Sequence, residues 1–272
     1  ATDIDSAMNQ LQASTGITAD QTERYRGVLE DIYKNGYGES FGDIGDALSQ
    51  IRQQIGPVVD AWDPSALQSF TESAISLRDT FGYDITESVR AANTMMDQFC
   101  IDGEEAMDLI ASGAQNGLDY SGELIDSINE YSVQFQKMGL DAYDMFAIFE
   151  AGSESGAFNL DKIGDAIKEM SIRVVDGSDT TVQGFELIGL NADEMASKFA
   201  QGGETAKEAF QETISALAQL EDPLAQNTAG VDLFGTMWED LGPEAITALA
   251  GIEGSAYDTS DALENIKDVK YD

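Results

Sequence analysis

The sequence predicts an all-α fold, and three observations carry that prediction. Apolar residues recur at every third and fourth position rather than every second, the spacing of one face of a helix. Only four prolines occur, Pro57, Pro64, Pro223 and Pro243, so long stretches keep every backbone donor that a helix needs. A segment near the middle of the chain also resembles the one that follows it, as stacked helical hairpins do. The expected architecture is a series of tandem helical hairpins of about 39 residues, either α-solenoid-like or an irregular helical array.

Taken in order, residues 20–33 place Tyr25, Val28, Leu29 and Ile32 on one face. Ile44, Leu48, Ile51 and Ile55 do the same until Gly56-Pro57 stops the helix. Val89, Ala92, Met96 and Phe99 follow a start at Asp84-Ile85-Thr86-Glu87, where a short acceptor precedes Glu by three as in a capping box. Asn191-Ala192-Asp193-Glu194 repeats that signal. Gly82, Gly103, Gly117, Gly139, Gly156 and Gly189 fall between the helical segments, where left-handed caps or tight connections are expected. Acidic runs such as 102–105 read as solvated helix starts that complement the helix dipole.

The internal similarity appears when Ala106–Ser132 is laid over Met145–Ser171, a displacement of 39. It pairs Gly113 with Gly152, Gly117 with Gly156, Asp126 with Asp165, Ile128 with Ile167 and Ser132 with Ser171. A fainter third copy runs through Asp43-Ile44-Gly45-Asp46-Ala47-Leu48, which echoes Lys162-Ile163-Gly164-Asp165-Ala166-Ile167. The expected division is an N-terminal helical segment at 1–56 and a repeat region at 65–272, with the boundary at Gly56–Pro64. A weaker boundary lies at Val174–Gly184, where residues 176–181 read as a polar loop.

With Lys+Arg 14 against Asp+Glu 51, the formal net charge is −37. Such a surface is repelled by a phosphate backbone, so direct nucleic-acid binding is not expected. Nowhere do about 18 apolar residues run consecutively, so no membrane-spanning segment is expected in this sequence. Cys100 is the only cysteine, which excludes an internal disulfide and a thiolate metal cluster. The opening, with Asp3 and Asp5, reads as neither a signal nor a transit peptide, and the start without Met suggests an excised fragment or a removed tag.

The composition also removes most catalytic chemistry. There is no His, hence no Ser/Cys–His relay and none of the commonest metal ligand. No phosphate-cradling Gly-x-x-x-x-Gly-Lys and no EF-hand loop occur, so no metal and no cofactor is expected. Paired carboxylates remain, but among 51 such groups pairs arise by chance. Glu154-Ser155-Gly156-Ala157-Phe158 resembles the catalytic-Glu motif of lytic transglycosylases, without the Gly-Leu-Met-Gln that follows it in that family. Gly156 aligns with Gly117, so the string reads first as a turn. Met145, Phe146 and Phe149, and Phe234, Met237 and Trp238, form candidate aromatic and methionine clusters that serve either as core or as an adaptable interaction surface.

Longer strings carry a resemblance. Residues 78–92 (RDTFGYDITESVRAA), Ala114-Gln115-Asn116-Gly117-Leu118-Asp119, residues 157–166 (AFNLDKIGDA), Ile188-Gly189-Leu190-Asn191-Ala192-Asp193 and residues 234–246 (FGTMWEDLGPEAI) look like the tape measure proteins of long-tailed phages and prophages of Gram-positive bacteria. The resemblance covers roughly residues 16–272. It implies a structural, non-enzymatic virion component that templates tail length, occupies the tail-tube lumen during assembly and leaves with or ahead of the DNA. Its implied partners are further copies of itself, the tail tube protein and tail assembly chaperones, in the host cytoplasm during assembly and then in the tail. Complete members are far longer, so the chain is expected to be a fragment of the conserved helical region. The family supplies no catalytic residues to map here.

Two other readings follow from the residues: a peptidoglycan hydrolase using Glu154, and a free-standing acidic helical module that binds a host protein. Size constrains them all. A compact chain of this length has a radius of gyration of about 19 Å, whereas one continuous helix would reach about 400 Å. With 26 glycines interrupting the pattern, a continuous ruler helix is not expected. The chain is expected either to sit at a tail end or to open into strung-out hairpins within the tube.

Overall fold

A computed structural model describes residues 2–271. It is 76% helical, with no strand among the described residues. The helices are α1 (Asp3–Thr15), α2 (Ala19–Lys34), α3 (Phe41–Ile55), α4 (Pro64–Phe81), α5 (Ile85–Phe99), α6 (Gly103–Gln115), α7 (Leu124–Lys137) and α8 (Ala142–Glu154). They continue as α9 (Leu160–Arg173), α10 (Asp179–Leu187), α11 (Ala192–Gln201), α12 (Gly203–Ala218), α13 (Pro223–Phe234), α14 (Met237–Leu241), α15 (Pro243–Thr247) and α16 (Ala262–Tyr271). Short 3₁₀ segments occupy Pro57–Ala61 and Gly254–Ala256. The chain divides into two units, Ala1–Gln115 with Thr259–Asp272, and Asn116–Asp258.

Local chemistry sets the helix ends. The side chains of Thr18, Ser40, Asp84, Asn159, Ser178 and Asn191 each accept a backbone N–H from the first turn of the helix they precede, satisfying a donor that has no partner within the helix. Gly82, Gly117, Gly139, Gly156 and Gly189 all have positive φ, as expected of residues that turn the chain after a helix. Gly103 is a correction. It opens α6 rather than closing a helix, and the left-handed cap of α5 is Cys100, with φ 56°. Residues 179–181 likewise form the first turn of α10, with Ser178 as the cap, so the polar loop at 176–181 is shorter than its composition suggests.

In the first unit the helices form two rows. α1 packs on α3 and α3 on α5, while α2 packs on α4 and α4 on α6. Each helix thus meets the next but one, the arrangement of an α-solenoid, and α16 returns onto α4 and α6. Leu29, Ile32, Ile44, Leu48, Ile51, Ile75, Leu77, Val89 and Ile110 fill the space between the rows and are wholly or almost wholly buried. Arginine–aspartate pairs tie the rows together. Arg78 of α4 donates to both carboxylate oxygens of Asp43 at the start of α3, at 2.8 and 2.9 Å. Asp60 accepts from Tyr25 at 2.6 Å and from Arg52 at 3.0 Å, so the Gly56–Pro64 stretch is fastened to α2 and α3, with Val59 buried.

The second unit is less regular. α7 packs on α9, α9 also meets α8, α13 and α14, α10 packs on α13, and α11 on α12. The division between the units passes through the first copy of the 39-residue similarity, leaving α6 in the first unit and α7 in the second.

Candidate functional site

The aromatic and methionine residues singled out in the sequence are packed inside the second unit. Met145, Phe146 and Phe149 of α8 are fully buried. Phe149 meets Phe135 of α7 edge-on, with ring centroids 5.5 Å apart, and Phe146 lies 5.9 Å from Tyr257. Phe234 and Trp238 form a second group at 6.4 Å, and the Trp238 Nε1 donates to Asn227 Oδ1 at 2.9 Å. Met237 is half-buried beside them. With the rings enclosed, both groups hold helices together: the first joins α7, α8 and the segment at 257, the second joins α13 and α14.

Two polar clusters brace this interior. Asp144 of α8 is buried; its carboxylate accepts from the Gly254 N–H at 3.1 Å and pairs with Lys207 of α12 at 3.2 Å. A Cβ on Gly254 would stand 2.2 Å from the Asp144 carboxylate, so only glycine allows the segment so close. The second cluster centres on Tyr131 of α7, whose hydroxyl lies 2.6 Å from Asp161 and 2.7 Å from Asp165. Burial raises the Tyr131 pKa, and the two acceptors raise it further. Glu130 brings a third carboxylate, and one oxygen from each of Glu130, Asp161 and Asp165 lies within 4.8 Å of the others. In a chain of this charge, acidic groups meet often, and the phenol already serves two of them, so this cluster receives no metal assignment.

Glu154 is the exposed last residue of α8. One turn earlier, burial and then the charge of Glu154 raise the Glu150 pKa. Glycosidic cleavage needs two carboxyl groups facing one bond, one of them kept protonated by its surroundings. Here the two lie in sequence along one helix edge, and Gly156, with φ 94°, turns the chain immediately afterwards. The arrangement is that of a helix end.

A surface feature that the sequence reading passed over lies beside it. Phe158 is 78% exposed and Tyr120 47%. The Tyr120 hydroxyl donates to the carbonyl of Ala157, the residue before Phe158, at 3.0 Å. They come from the α6–α7 and α8–α9 connections, the equivalent turns of the two similar segments. The available signal was Phe158 itself, an aromatic between a turn glycine and a helix-capping Asn, outside any helical face.

Comparison with known proteins decides what kind of protein carries these features. The family model described as "Phage-related minor tail protein" matches residues 33–235. The chain belongs to that family. The matched stretch of this phage minor tail family runs from the end of α2 to the residue after α13, and so takes in parts of both units. The strings at 78–92, 157–166 and 188–193 lie wholly inside it. A relative named "Probable tape measure protein" of Streptomyces phage phiC31 is 30% identical over 203 residues, 71% of this chain and 28% of the relative. A Bacillus subtilis (strain 168) protein, the uncharacterized protein YqbO, is 28% identical over 240 residues, 87% of this chain and 15% of the relative. The chain therefore spans less than a third of the length of each of these relatives. No solved structure matches it. No helix among the described residues is long and apolar enough to cross a membrane.

Proposed function

We propose that this chain is a segment of a phage tail tape measure protein, acting structurally in tail assembly, tail length determination and genome delivery. The observation that carries the reading is the phage minor tail family match over 33–235, which takes in parts of both helical units. The relative named as a probable tape measure protein supports the finer assignment. In this reading the chain works through helix-mediated contacts with further copies of itself, the tail tube protein and tail assembly chaperones. It resides in the host cytoplasm during assembly and in the virion tail afterwards, and performs no catalytic step. Its charge opposes direct contact with DNA, so passage of the genome would proceed without adhesion to this segment.

The test is to purify intact tails from the phage or prophage that encodes the chain, quantify its peptides by mass spectrometry, and assay the isolated protein on peptidoglycan. The expected result is stoichiometric recovery in tails and no cell-wall cleavage. Absence from tails, or cleavage that disappears in Glu154→Gln, would overturn the reading.

A further inference from the structure

The first unit carries a groove whose chemistry the tail assignment does not use. It has a volume of about 430 Å³ and is lined by Trp62, Phe70 and Met96, with Asp63, Asp102 and Glu104 on its rim. These come from the turn before α4 and its first two turns, the end of α5, and the turn before α6 with its first residues. The Phe70 ring is almost fully buried and meets the partly exposed Trp62 edge-on at 5.4 Å. Gly103 makes this possible, because a Cβ there would stand 2.6 Å from the Phe70 ring. Asp102 caps α6 through the Glu105 N–H, which leaves Asp63 and Glu104 as exposed rim charges.

Two cations of the chain reach this neighbourhood. Arg24 donates to the Trp62 carbonyl and Lys267 of α16 lies 3.5 Å from the Ser69 carbonyl. Neither lines the groove, although the Lys267 ammonium also interacts with the charge of Glu104. The part of the Trp62 indole that reaches solvent, backed by the buried Phe70 ring and set beside carboxylates, attracts a cation through the ring quadrupole and through charge together. A guanidinium suits such a place better than an ammonium, since its plane stacks on a ring while its edge serves a carboxylate. The size falls within the range of about 300–1,000 Å³ that takes a small molecule or a side chain. A second copy is a poor occupant, because it would bring a charge of −37 toward a charge of −37.

We propose that the Trp62–Phe70–Glu104 groove binds an arginine side chain presented by a basic segment of a partner protein. The proposal rests on the groove alone and stands or falls apart from the tail assignment. The native reporter is Trp62, since the second tryptophan, Trp238, is buried. The experiment titrates the whole chain with acetyl-arginine amide in salt at about 0.15 M, where charges beyond about 8 Å are screened. The neutral isostere acetyl-citrulline amide serves as control.

The expected result is a saturable change in Trp62 emission with the arginine probe and none with citrulline. Amide chemical-shift changes should be confined to residues 62–70, 96 and 102–105. Asp63→Asn with Glu104→Gln, both exposed and remote from the core, should weaken binding by about tenfold. Glu186→Gln with Asp193→Asn removes equal charge in the second unit and should leave binding unchanged. An equal response to citrulline, undiminished binding in the rim variant, or equal loss in the remote variant would each overturn the proposal.

Discussion

One string occurs in both units and has different consequences in each. Ile44-Gly45-Asp46-Ala47-Leu48 lies on α3 and Ile163-Gly164-Asp165-Ala166-Ile167 on α9, and in both the Ile, Ala and final aliphatic residue are buried. In both, the glycine faces the helix two places earlier in the chain. A Cβ on Gly45 would meet the Ala7 methyl at 3.5 Å, ordinary contact, whereas one on Gly164 would stand 2.1 Å from the Tyr131 ring. The neighbouring aspartates diverge too: Asp46 is exposed, and Asp165 accepts from Tyr131. The string therefore marks where helices touch, and the partner residue decides whether the glycine is required. The first unit stacks rows largely through aliphatic side chains and ties them with arginine–aspartate pairs, with one ring, Phe70, set close against Gly103, while in the second Tyr131, Trp238 and the Asp144 backbone crowd Gly164, Gly230 and Gly254.

The sharpest way to break the comparison is to attack the second unit's brace. Asp144→Ala strands Lys207 and the Gly254 N–H, and is expected to destabilise by about 3 kcal/mol. Hydrogen exchange should accelerate in peptides from 116–258 and stay unchanged in those from 2–115. Equal acceleration in both would mean that the units do not open separately.

Next is the matched glycine pair. Gly164→Ala should cost about 1–3 kcal/mol through overpacking against Tyr131. Gly45→Ala should be neutral or stabilising by up to about 1 kcal/mol, since a helix-interior glycine gains rigidity as alanine. Denaturant midpoints at unchanged slope would read both, and costs of the same sign and size would erase the distinction.

Acid should separate the units more gently. In the first, burial would raise the Asp43 pKa, but the Arg78 hydrogen bonds and the Glu39 N–H outweigh it and leave it lowered. Its stabilising contribution is thus present above the unfolded value of about 3.9 and is lost as pH falls through the lower folded value. In the second, burial raises the pKa of Glu150 and of Asp232, which Arg173 only partly offsets. These groups cost stability when ionised, and the cost is relieved as pH falls from neutral through their raised folded values. Trp62 reports the first unit and Trp238 the second. As pH falls from neutral toward the ordinary carboxylate range of about 4, the Trp238-detected thermal midpoint should rise relative to the Trp62-detected one. A parallel shift of the two would contradict the assignment of opposite signs.

Much of the first unit was legible in the sequence, because its rows follow from periodicity and caps that act within a few residues. The face of Tyr25, Val28, Leu29 and Ile32 is the buried face of α2, and Asp84 caps the helix it announces, as Asn191 does in the second unit. The displaced similarity correctly paired Gly117 with Gly156 as turns. What stayed hidden depends on contacts between distant positions. Nothing near Asp144 announces the Gly254 N–H, 110 residues away, and nothing near Gly103 announces Phe70. The groove at Trp62 has the same cause, as its lining comes from three helices whose local patterns each read as ordinary core and rim.

The most direct test of the structural role is tail length. Codons for residues 103–141, one copy of the 39-residue similarity, would be removed in frame from the encoding phage, and tails measured by electron microscopy. Under the proposed role in tail length determination, uniform tails of shorter length are the predicted result. Tails assembled in normal number and at unchanged length would contradict the account.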